Sequence, residues 1–214
     1  MFSVNLTFQN GNESDVNTLV MASRNGQVKQ VRLLLGSSAC HPNEVTVAAL
    51  IVACQNGHSD VVELIIHHGT QVDSPNDDGQ SALIVASQHG CSEVVKLLLD
   101  YGAQVDMQDN NGMSSLMMAS QNGYHDIITS LLAHGAQVNL RNNDGWSALM
   151  LASWNSHVKA VEVLLKHGAH VDGEFLTKLS SERHSEVFAI LNKQLGMYSK
   201  HNNNILSLVP RPLL

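Results

Sequence analysis

The chain has 214 residues, and its 12 Lys+Arg against 19 Asp+Glu leave a formal net charge of −7, which makes nucleic acid a poor partner. Only 14% of residues are charged, against about 25% in an average soluble chain, while 43% are apolar, so a core can be buried under a surface made largely of Asn, Gln, Ser and His. The longest apolar run, Val47 to Cys54, is far short of the ~20 residues a membrane-spanning helix needs, and the start Met1-Phe2-Ser3-Val4-Asn5 lacks the basic flank and apolar centre of a secretory leader.

Residues 1–14 precede any pattern. Asn5-Leu6-Thr7 and Asn12-Glu13-Ser14 match the glycosylation triplet, but without a leader they are expected to stay unmodified. Beyond them the chain repeats itself: Leu50, Leu83, Leu116 and Leu149 recur at a spacing of 33, and Ala53, Ala86, Ala119 and Ala152 keep the same register. Gly69, Gly102, Gly135 and Gly168 share the interval, as do Val72, Val105, Val138 and Val171.

Within one repeat, Leu83 and Ala86 stand at i and i+3 on one helical face, Ser81 is placed to cap the first turn, and Gly90 ends the helix. A second helix follows, with Glu93 in its first turn, as Asp60 and Asp126 are in theirs, where negative charge favours the helix dipole; Lys159 breaks that column. Val94, Val95, Leu98 and Leu99 form its apolar stripe, and Gly102 supplies the left-handed residue that stops it. Asn76-Asp77-Asp78-Gly79, Asp109-Asn110-Asn111-Gly112 and Asn142-Asn143-Asp144-Gly145 then have hairpin-turn composition. Two such short helices cannot cover their own apolar stripe, so each must be buried against the next repeat, which predicts an all-α solenoid of stacked helix-turn-helix units joined by hairpin loops.

These residues resemble the ankyrin repeats, most clearly in Asp144-Gly145-Trp146-Ser147-Ala148-Leu149, Ala152 and Val163-Leu164-Leu165-Lys166-His167-Gly168-Ala169. The resemblance covers residues 15–193: an N-terminal cap at about 15–45, repeats at 46–78, 79–111, 112–144 and 145–172, and a C-terminal cap at 173–193. The first cap (Leu19, Ala22, Gly26, Val31, Leu34, Leu35) is offset by 31, and the last (Leu176, Leu179, His184, Val187, Leu191) by 27, so the hairpin before it has lost six residues. Residues 194–214, with Asn202-Asn203-Asn204 and Pro210-Arg211-Pro212, are expected to be a disordered tail. The usual Thr-Pro-Leu-His is replaced by Ser81-Ala82-Leu83-Ile84, Ser114-Ser115-Leu116-Met117 and Ser147-Ala148-Leu149-Met150, which removes a polar cross-link between repeats and offers an apolar side chain instead.

Chemistry beyond packing is tested residue by residue. His68, His134 and His167 form a column with Tyr101, each before a helix-ending Gly, but stacked helices lie about 8 to 10 Å apart and shared zinc ligation needs ~2 Å, so they read as cationic ends of helices. Cys40, Cys54 and Cys91 lack paired spacing, which suits a reducing compartment. Against a calcium loop, the slots for the first Asp and the bidentate Glu hold Ser74 and Val85, Met107 and Met118, and Leu140 and Leu151. No Walker loop, G-x-S-x-G or H-E-x-x-H is present, so neither catalysis nor a cofactor is expected.

Recognition of another protein remains. The positions that packing leaves free are Asp77, Asp78, Gln80, Gln88 and His89, then Asn110, Asn111, Met113, Gln121 and Asn122, then Asn143, Asp144, Trp146, Trp154 and Asn155. The resemblance implies that these lie on the concave face and hairpin tips that contact protein partners. Trp146 is the expected anchor, since Trp is enriched at interface hot spots; for Trp154 two roles stand open, anchor or cover over the shortened hairpin. Asn139 stands where the other hairpins carry Asp73, Asp106 and Asp172, and the resemblance, with Leu131 eight residues earlier, implies a possible hydroxylation site, from which Gln137 departs in place of an acidic residue. The reading is a monomeric, non-enzymatic protein-binding scaffold, cytoplasmic or nuclear; its alternative is a structural spacer within a larger protein.

Overall fold

The computed structural model describes residues 13–36, 43–179 and 184–201. Both glycosylation triplets in their Asn residues, Cys40, His41 and the stretch 202–214 lie outside them. Every regular element among the described residues is an α-helix: α1 Glu13–Arg24, α2 Val28–Gly36, α3 Asn43–Gln55, α4 Ser59–His67, α5 Ala82–Gln88, α6 Ser92–Asp100, α7 Ser115–Asn122, α8 His125–Ala133, α9 Ala148–Trp154, α10 Val158–Lys166, α11 Gly173–Lys178 and α12 Ser185–His201. Strand-like pairing among them is confined to two isolated antiparallel bridges, Gln108 with Ser114 and Arg141 with Ser147. The fold is all-α and made of helix-turn-helix repeats, as the 33-residue period requires.

Two compact halves divide the chain, Met1–Gln104 and Val105–Leu214. In the first, each of α1, α3 and α5 packs on its own second helix, α1 and α5 flank α3, and α2, α4 and α6 pack in succession. Leu50, Ala53, Val61, Ile65, Leu83, Val94 and Leu98 are fully buried there. In the second half α7 packs on α9 and α8 on α10, burying Leu116, Ala119, Ile127, Ile128, Leu149, Ala152 and Leu164, and α12 closes the stack against α10 and α11 through Val187 and Leu191. The helix α12 continues to His201, so 194–201, expected as tail, is helical.

Local chemistry accounts for the boundaries. Ser81, Ser114 and Ser147 accept the N–H of Ile84, Met117 and Met150 at 3.4 Å, each capping a first helix. Ile84, Met117 and Met150, which replace the histidine of the usual motif, are buried, so an apolar contact stands where a polar cross-link would be. At the hairpins, Asn76, Asp109 and Asn142 each accept two backbone N–H groups through Oδ1, fixing the turn.

The second helices are started differently. His58, Cys91 and His157 occupy their N-cap positions without capping them, and turn instead to the preceding repeat: His58 Nε2–H donates to the Arg24 carbonyl at 2.9 Å and His157 Nε2–H to that of Gln121 at 3.0 Å. This approach explains Gly26 and Gly123. Both have left-handed φ, +67° and +76°, and a Cβ on either would lie 2.8 Å or 2.5 Å from the imidazole Nδ1 of the next repeat.

Candidate functional site

The residues expected on a recognition surface are placed half by half. In the first half Asp77 and Asp78 are exposed at a hairpin tip, while Gln80 is half-buried. His89 is exposed and oriented: its Nδ1–H donates to the Val85 carbonyl at 3.0 Å, which leaves Nε2 to accept from Gln55 Nε2 at 3.3 Å. Gln88 beside it is half-buried.

In the second half Asn110, Asn111, Asn143 and Asp144 are exposed. Asn143 also joins neighbouring hairpins, donating its backbone N–H to the Asn111 carbonyl at 3.1 Å and its Nδ2 to that of Asn110 at 3.0 Å. Gln121 and Asn122 are exposed; the Asn122 amide donates to the Met118 carbonyl at 2.9 Å, extending the end of α7. Met113 is corrected: expected in a free column, it is buried, with Asn142 Nδ2 at 3.4 Å from its sulfur. The following hairpin folds over it, which a per-repeat reading of the sequence does not show.

Trp146 and Trp154 meet. Their rings are edge to face at 5.7 Å and 82°, and Trp146 makes a second such contact with Phe175 of α11 at 5.8 Å and 75°. Trp146 is half-buried, Trp154 is 45% exposed, and Phe175 is buried against Trp146. Trp154 also lies over the His184 ring at 5.9 Å, so it touches the last repeat as well as facing solvent. Together they wall a cleft of about 380 Å³ whose remaining lining comes from Arg141, Asp144, Gly145, Met150, Asp172, Glu174 and Lys178.

The shortened hairpin builds this cleft. Lacking six residues, the chain enters α11 directly from Asp172, which brings Phe175 and the carboxylates beside Arg141 and Trp146. Asp172 Oδ1 caps α11 by accepting from Glu174 N at 2.9 Å and Phe175 N at 3.2 Å, and Oδ2 pairs with Arg141 Nη2 at 3.2 Å. Burial pushes the Asp172 carboxyl up, but those N–H groups and the guanidinium outweigh it and hold it below the usual carboxylate range. Arg141 Nη1 is occupied as well, donating to the Gly145 carbonyl at 2.7 Å. Sequence reasoning missed Arg141, Met150, Asp172, Glu174, Phe175 and Lys178; the available signal was the deletion itself.

Beside the cleft, Ser156 occupies the column filled by Gly57, Gly90 and Gly123 in earlier repeats and keeps their left-handed backbone, with φ +59°. Its Oγ is hydrogen-bonded to Nδ1 of the buried His184 at 2.7 Å.

The other candidates are engaged in packing. His134 and His167 donate Nδ1–H to the carbonyls of Ser130 and Val163, both at 2.8 Å, and His68 caps α4. Tyr101 reaches across to His67 rather than His68: its hydroxyl lies 3.2 Å from His67 Nε2 and 3.4 Å from Glu63 Oε1. Among the described residues no group of three His, Cys, Asp or Glu is placed to hold a metal ion. Cys54 is a buried free thiol pushed well above the usual range by desolvation and then by nearby Cys91. Asn139 is exposed but tied at both ends of its amide, Oδ1 accepting His170 N at 2.8 Å and Nδ2 donating to the Gly168 carbonyl at 3.2 Å. Asp73 and Asp106 accept the N–H of Gln104 and Gln137 in the same way, both at 2.9 Å.

A family model describing ankyrin repeats, in three copies, matches residues 19–109 and 101–174. No curated protein matches the chain.

Proposed function

Because this chain belongs to the ankyrin-repeat family, whose repeats are generally protein-interaction modules, we propose that it is a non-enzymatic scaffold that holds a protein partner on the surface of residues 105–214, with the Trp146–Trp154 cleft as its anchor point. The observation that carries this reading is the aromatic cleft. A Trp left 45% exposed against a half-buried one is a large rigid apolar surface of the type that dominates binding hot spots. Asn110, Asn111, Asn143 and Asp144 supply a polar rim.

Local geometry favours binding over catalysis. Ser156 and His184 form a nucleophile–base contact, yet the backbone N–H groups of Ser156, His157 and Val158 already donate to Ser153, Ala152 and Ser156 carbonyls and are not free to hold a developing oxyanion. Free thiols at Cys54 and Cys91 accord with a reducing compartment, the cytoplasm or nucleus, and no helix among the described residues is long and apolar enough to cross a membrane.

Trp154→Ala is the test, because Trp154 is the more exposed of the two tryptophans. It should weaken a partner captured by affinity pull-down by about tenfold or more, while the melting temperature shifts by only a few degrees. Unchanged capture by Trp154→Ala would remove the cleft from the interface, and the absence of any captured partner would favour a spacer. Asn139 is further proposed as a hydroxylation acceptor on the family pattern; a mass gain of about 16 Da on its peptide from native protein would support this, and its consistent absence would reject it.

A further inference from the structure

We propose that the Trp146–Trp154 cleft receives a single cationic side chain, an arginine guanidinium or a lysine ammonium, presented by a basic segment of the partner; this deepens the interaction reading above and rests on it. Aromatic walls meeting at 82° and 75° present ring faces in more than one direction, unlike a flat stack. A ring face carries partial negative charge, and its attraction for a cation strengthens as water is excluded. Phe175, which also lines the cleft, is buried, while Trp154 is exposed to solvent.

The charges around the rings decide the sign of the ligand. Arg141 is committed to Asp172 and the Gly145 carbonyl, so its charge is already compensated. Asp144 and Glu174 carry no ion pair among the described residues, and neither does Lys178. Two uncompensated carboxylates against one ammonium leave the rim acidic, on a chain whose net charge of −7 draws basic partners. An acidic anchor would face both carboxylates, and an aliphatic one would leave them desolvated without a partner.

Both tryptophans of the chain stand in this cleft, so intrinsic tryptophan fluorescence of the full chain reads it directly. The titrants are blocked peptides Gly-Ala-Xaa-Ala-Gly with arginine, lysine, trimethyllysine or norleucine as Xaa. At least one cationic peptide should bind about tenfold more tightly than the norleucine peptide, with affinity falling as salt is raised. Its binding should be lost in Trp154→Ala and weakened in Glu174→Gln, whose fold is checked by its melting curve; the ranking of the three cations identifies the preferred head group. Norleucine binding as tightly as the cations, or full binding by Trp154→Ala, would overturn the proposal. Binding that emerges only after Arg211→Ala would also overturn it, assigning the cleft to the chain's own tail. A captured partner lost in Trp154→Ala, with no cationic peptide bound, would sink the cation inference and leave the interaction reading standing; cationic peptides bound through the cleft, with capture unaffected by Trp154→Ala, would do the reverse.

Discussion

Ser156 shows how one residue holds two repeats together. A non-glycine residue in the left-handed region costs about 1–2 kcal/mol, because its Cβ crowds the backbone. Here the strain accompanies a hydrogen bond to buried His184, and removing a buried partner costs about 1–3 kcal/mol. Ser156→Ala retains the strain and loses the bond, whereas Ser156→Gly loses both. Denaturant unfolding should therefore rank wild type above Ser156→Ala by about 1–3 kcal/mol, and Ser156→Gly above Ser156→Ala by about 1 kcal/mol. Ser156→Ala as stable as wild type would show that the bond to His184 contributes nothing. Trp146 belongs to the same scale. Edge contacts to Trp154 and Phe175 and half-burial make it a structural side chain as well as a binding one. Exposed Trp154 is consequently the cleaner probe of binding.

At the scale of an element, α11 depends on Asp172. This side chain caps the helix through two N–H groups and pairs with Arg141, and its carboxyl is held below the usual range. A carboxylate more acidic in the folded state than in the unfolded one stabilises the fold above the unfolded value of about 3.9, and that contribution disappears as pH falls through the folded value. Stability measured by urea unfolding should accordingly drop below about pH 4 more steeply in wild type than in Asp172→Asn, so that the advantage of wild type is full near neutral pH and narrows in acid. Parallel pH profiles would show that the cap and the Arg141 pair do not perturb this group. Arg141 links the cap to the turn at Gly145, so α11 and the preceding hairpin share one polar anchor.

For the whole molecule, stability comes from apolar side chains repeated in register. Leu50, Leu83, Leu116 and Leu149 are all buried, and so are the Ala residues three positions on. Repeat arrays of this type are stabilised by the interfaces between neighbouring units, with no need for an ion or a bridge. Dialysis against a chelator should leave the thermal melting curve unchanged; a fall of more than a few degrees, reversed by added zinc or calcium, would reveal a metal contribution.

The 33-residue period alone determined the all-α repeat architecture, the serine caps of α5, α7 and α9, and the buried Leu and Ala columns, since periodic burial leaves a periodic record in the chain. It also identified Trp146 and Trp154 as unusual. It could not show that they touch, because a contact between a hairpin and a helix end depends on how the chain returns between them. The burial of Met113 is hidden from the sequence for the same reason: it depends on the hairpin of the following repeat, where Asn142 lies against its sulfur. The cleft was least legible, for its Arg141, Asp172, Glu174 and Phe175 belong to three successive units and meet only because six missing residues shorten the path into α11. Periodicity records what every repeat shares, whereas this site arises where one repeat departs from the rest, and tertiary packing alone decides what that departure brings together.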